Sequence, residues 1–92
     1  MEPRSGWTFL SNHAHVVIAL AADPTLRLRD LAERVGITER AVAQIVVDLE
    51  AAGVITKTRA GRRNAYRINT RVPLRHPIEA HRTVGDILRA VK

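Results

Sequence analysis

The chain has 92 residues, 46% of them hydrophobic and 26% charged, which is the composition of one folded domain and not of a disordered segment. It has no cysteine, which excludes disulfides, thiolate metal sites and cysteine nucleophiles, and no apolar run near the roughly 20 residues of a membrane helix. The net charge of +6 makes a polyanion the natural class of partner.

Residues 1–4 show no signal-peptide pattern, so a cytoplasmic protein is expected. Residues 1–7 are expected to be loose, with Trp7, Phe9 and Leu10 anchored against the rest. Ser11 or Asn12 can cap a first helix to about residue 22, with Val16, Val17, Leu20 and Ala21 on one face. Pro24 ends it, because proline disfavours helical geometry in the residue before it. Leu26-Arg27-Leu28 alternates as a very short strand would. A second helix follows over about 29–35, burying Leu31, Ala32 and Val35, and Gly36 stops it. Thr38 caps a third helix to about residue 52, whose stripe is Val42, Ile45, Val46 and Leu49.

Gly53 then gives way to two β-branched runs, 54–59 and 64–69, around a glycine-containing turn. This hairpin lies in a window, residues 53–76, that holds Lys57, Arg59, Arg62, Arg63, Arg67, Arg71 and Arg75 and no acidic residue. The remainder of the chain is close to neutral. After Pro73 and Pro77 a last helix is expected over about 78–91, with the stripe Val84, Ile87, Leu88 and Val91. The fold class is therefore mainly α with a small β-hairpin wing (α+β), in the order α-β-α-α-β-β-α. It forms a single domain over 1–92, with a core at 11–69 and a tail helix at 77–92 that suits a dimer interface with the first helix.

The segment 31–54, LAERVGITERAVAQIVVDLEAAGV, places two helices around a tight Gly36-Ile37-Thr38 turn. That arrangement sets the second helix across the first, free to enter a major groove. Opposite the apolar stripe of the third helix lie Arg40, Gln44, Val47 and Ala51, with Ala43 and Asp48 beside them. Thr38 and the helix N-terminus can meet a phosphate, Gln44 an adenine edge, and Arg40 a guanine or a phosphate. On the hairpin, Arg62, Arg63 and Asn64 stand at the tip and suit a minor groove, while Lys57, Arg59 and Arg67 suit the backbone. Tyr66 and Ile68 share a face, read as the core face.

These residues carry a resemblance. Residues 28–55, LRDLAERVGITERAVAQIVVDLEAAGVI, and the wing GRRNAYRIN at 61–69 resemble the winged helix-turn-helix regulators related to the MarR and ArsR groups. The tail PLRHPIEAHRTVGDIL at 73–88 resembles a compact single-domain subgroup common in actinobacteria. The resemblance implies a cytoplasmic, nucleoid-associated regulator that binds double-stranded DNA, usually as a homodimer, with the third helix in the major groove. The cysteines with which many ArsR-type proteins sense metals are absent.

Other classes fit less well. His13, His15, His76 and His81 are scattered and no HExxH occurs, so no metal or other cofactor is expected. Neither a nucleophile with its base nor a glycine-rich phosphate loop is present, so no catalytic residue is assigned and an enzyme is not expected. A protein-interaction module would use the apolar positions Ala43, Val47 and Ala51, and a nucleoid-type protein would read shape alone. RNA binding lacks the outward aromatics that stack on unpaired bases.

Overall fold

The computed structural model describes residues 6–92. The expectation for 1–7 falls mostly outside them. Four helices and one hairpin follow in order: α1 (Asn12–Ala22), α2 (Leu28–Val35), α3 (Glu39–Ala51), β1 (Ile55–Ala60), β2 (Arg63–Ile68) and α4 (Val84–Val91).

Each of the first three helices starts where a side chain satisfies an orphan amide. Ser11 Oγ accepts from the Ala14 N–H at 3.2 Å, and Thr38 Oγ1 from the Ala41 N–H at 3.0 Å. At α2 the Asp30 carboxylate reaches back to the Arg27 N–H at 3.1 Å. That bond starts the helix at Leu28 and overturns the expected strand at 26–28. Only one backbone bond, Tyr66 N–H to the Pro24 carbonyl at 3.0 Å, joins the neighbouring residues to the hairpin. Pro24 has no N–H to return, so no ladder forms and the order is α-α-α-β-β-α. Gly36 closes α2 at φ +85°, with its N–H on the Ala32 carbonyl at 2.8 Å.

The core gathers Val16, Val17 and Leu20 of α1, Leu31 and Ala32 of α2, and Val42, Ile45, Val46 and Leu49 of α3, with Leu26, Val54, Ile55, Tyr66 and Val84. Leu20, Leu31, Val16 and Val42 are completely enclosed. Burying each such side chain contributes about 1.5–3 kcal/mol, and these residues fix how α3 lies on α1 and α2. Ala21, expected on the inner face, is exposed.

The hairpin is antiparallel, with Ile55 opposite Ile68 and Ala60 opposite Arg63. Gly61 and Arg62 form the two-residue turn, and Gly61 takes the positive φ, +67°, that the first residue of a II′ turn needs.

The tail differs most from expectation. Residues 78–83 are turns and an isolated bridge, and helix starts only at Val84. A reciprocal capping box sets that start. The Asp86 carboxylate accepts the Thr83 N–H at 2.9 Å, while Thr83 Oγ1 accepts the Asp86 N–H at 3.3 Å. Gly85 is buried, and its N–H meets the Thr70 carbonyl at 3.0 Å. α4 then packs on α1 of its own chain, leaving Ile78 and Val91 exposed. Trp7 and Phe9 are not anchored. They are 69% and 91% exposed and pack edge-to-face on each other, centroids 4.8 Å apart.

Candidate nucleic-acid interface

The α2–turn–α3 unit buries one side of α3 and leaves the other bare. Arg40, Gln44, Val47 and Ala51 are all exposed, at the positions the periodicity assigns. Val47 is 55% exposed in spite of its apolar side chain. Thr38 is exposed but its oxygen is committed to the helix cap, which leaves its hydroxyl hydrogen as a donor. Gln44 is not loose: its Nε2 donates to Asp48 Oδ1 at 3.0 Å. The other oxygen of Asp48 accepts from His13 Nε2 of α1 at 2.8 Å. Those bonds, His13 first and then Gln44, hold the Asp48 carboxyl below the usual carboxylate range.

On the hairpin the register sorts the cations by face. Lys57 pairs with Tyr66 and Arg59 with Asn64, on the side that carries the buried Ile55. Arg67 pairs with Thr56 and Arg63 with Ala60, on the opposite side. Arg62 sits in the turn between them. Lys57, Arg59, Arg62, Arg63, Asn64 and Arg67 are all exposed, but one is engaged: the Arg63 guanidinium donates to the Thr25 carbonyl. Tyr66 is buried, and burial first, then the charge of Glu50, pushes its hydroxyl pKa up. It serves the core.

A recognition-type helix across a capped partner, followed by a hairpin with Gly at its tip, is one architecture. Residues 13–56 match the family model described as winged helix-turn-helix DNA-binding. The fold is that of a winged helix-turn-helix. Among the solved structures that superpose on it are two of the PcaV transcriptional regulator from Streptomyces coelicolor, one in complex with its natural ligand. The first is 35% identical over 65% of this chain, with a TM-score of 0.56. The second is also 35% identical, over 64%, with a TM-score of 0.55. The chain spans only 45% and 46% of the lengths of those structures. No curated protein matches it.

Within the winged helix, the basic window divides. Arg75 lines a groove between α1, the end of α3 and α4, together with Asp48, and its charge acts on that carboxylate. The same groove is walled by Leu10, Val17, Leu49, Val84 and Leu88. Arg75 therefore belongs to the side away from the hairpin tip. Sequence reasoning missed the partners of two site residues. The Gln44–Asp48 pair was visible as an i, i+4 couple. Nothing local pointed to His13 or Thr25, which lie 35 and 38 residues from the groups they hold. Among the described residues no group of three His, Asp or Glu side chains is placed to hold a metal ion, and no helix is long and apolar enough to cross a membrane.

Proposed function

We propose that this chain is a transcription regulator that binds double-stranded DNA sequence-specifically. α3 enters the major groove with Thr38, Arg40 and Gln44 toward the bases and phosphates. The wing residues Lys57, Arg59, Arg62, Asn64 and Arg67 grip the backbone and minor groove alongside, and Arg63 holds the wing in place for them. The observation that carries this reading is the pairing of a bare α3 face with a hairpin that bears five cations and no carboxylate. The likeness to a transcriptional regulator at 35% identity supports it. The chain acts as a homodimer on two half-sites, about 10 base pairs apart centre to centre. The exposed Ile78 before α4 and Val91 at its end support an interface there. It needs no cofactor, performs no catalysis, and works in the cytoplasm on the nucleoid.

A second reading rests on Val47. An apolar residue 55% exposed at the centre of the α3 face also suits a protein surface. Capture of fragmented genomic DNA by the purified protein at near-physiological salt separates the readings. Enrichment of a short palindrome is the expected result. Uniform recovery of all fragments means a protein that reads shape alone. Recovery of no DNA even at low salt leaves the protein-partner reading in its place.

A further inference from the structure

We infer that Asp48 is a positioning residue for base reading, because it fixes which end of the Gln44 amide faces outward. The inference rests on the reading that the outer face of α3 meets DNA.

A glutamine amide presents its oxygen and its NH2 on two ends that differ by a simple rotation. On an exposed helix face the two orientations are ordinarily close in energy. A carboxylate breaks that balance, since it accepts hydrogen bonds and cannot donate them. Asp48 Oδ1 lies 3.0 Å from Gln44 Nε2, so the NH2 end is turned toward Asp48. One amide hydrogen is used there. When the hydrogen trans to Oε1 makes that bond, the second hydrogen and Oε1 are left as an adjacent donor and acceptor. That is the pair which N7 and the N6 amino group of adenine require.

The carboxylate is itself held. His13 Nε2, on a different helix, donates to Oδ2 at 2.8 Å, so the two oxygens are tied from two sides. α1 thus grips one oxygen and α3 the other, which holds the Asp48 side chain beside Gln44. The bonds from His13 and Gln44, with the nearby charge of Arg75, keep it an ionised acceptor. His13 thus belongs to the reading apparatus although it lies on α1.

The test is selection of preferred sites from a random duplex library by the full chain and by Gln44→Ala, Asp48→Asn and Asp48→Ala. Asp48→Asn keeps the shape but adds a donor, so both orientations of Gln44 are accommodated. Gln44→Ala should erase a roughly tenfold adenine preference at one position of each half-site. Asp48→Asn and Asp48→Ala should lower the preference several-fold at that same position and leave other positions unchanged, beside a small fall in Tm from the lost bond to His13. A purely structural role would instead weaken binding to every sequence alike and leave the preference at that position intact. Wild-type preference retained by Asp48→Asn at the position Gln44→Ala erases would overturn the inference. If Gln44→Ala alters no position while DNA is still retained, Gln44 reads no base and Asp48 has nothing to position. If the wild-type chain retains no DNA, the functional reading itself fails.

Discussion

The Arg63 guanidinium donates to the backbone carbonyl of Thr25, 38 residues earlier in the chain. Beside it, the Tyr66 N–H meets the Pro24 carbonyl at 3.0 Å. The two bonds pin the second wing strand to the turn between α1 and α2. That turn is stiffened in its own right, because Asp23 accepts both the N–H and the hydroxyl of Thr25 at 3.0 and 2.9 Å.

Arg62 and Arg63 should therefore behave differently despite being neighbours. Arg62→Ala removes a phosphate contact and should lower the slope of log affinity against log salt by about 0.9 per protomer. Arg63→Ala should weaken binding with little change in slope, because it frees the wing and removes no counterion-releasing contact. Titrations at several salt concentrations decide the matter. An equal loss of slope in both variants would place Arg63 on the DNA and make its bond to Thr25 incidental.

Gly85 is the contact point of α4. A methyl group built there would lie 3.1 Å from both the Cβ and the carbonyl oxygen of Thr70. That carbonyl already accepts the Gly85 N–H, so it has little room to retreat. Gly85→Ala should cost about 1–3 kcal/mol through overpacking. In a domain of this size that is a fall in Tm of several degrees, about 4–8 °C per kcal/mol. Hydrogen exchange should show α4 amides losing protection before those of α3. A Tm at or above the wild-type value would show that α4 shifts without penalty.

Acid should loosen the helix starts. The Asp86 carboxyl is held below its ordinary value of 3.8, first by the Thr83 backbone N–H and then by the charge of Arg89. Asp30 is held down in the same direction by the Arg27 N–H and side chain. A folded pKa below the unfolded one means stability that is present above the unfolded value and is lost as pH falls through the folded one. Urea midpoints should thus drop between about pH 5 and about pH 3. Asp86→Asn should start lower near neutral pH and fall less steeply with acid. Parallel acid limbs for the two proteins would show that this cap does not contribute.

The first three helices and the hairpin were legible in the sequence because each carries its own punctuation. Ser11, Gly36, Thr38 and Gly61 mark boundaries that tertiary packing leaves intact. The start of the tail helix was misplaced because the expectation begins it directly after Pro77, while the stripe Val84, Ile87, Leu88 and Val91 lies wholly within α4. Ile78 lies off that stripe and is 80% exposed, whereas Thr83-Val84-Gly85-Asp86 encodes the true start. The Leu26-Arg27-Leu28 alternation suits a strand and the entry to a helix equally well, and Asp30 decides between them. At the site, periodicity told which α3 residues face outward. It could not tell that Arg63 and Asp48 are held by groups brought together only by folding.

Trp7 has a practical consequence. It is the sole tryptophan of the chain, it is 69% exposed, and it stands edge-on to Phe9, which lines the groove between α1 and α4. Its fluorescence therefore reports the wetness of a single spot. Anything that settles over Phe9 dries the indole and moves the emission to the blue. The protein is its own dye for watching that surface being covered.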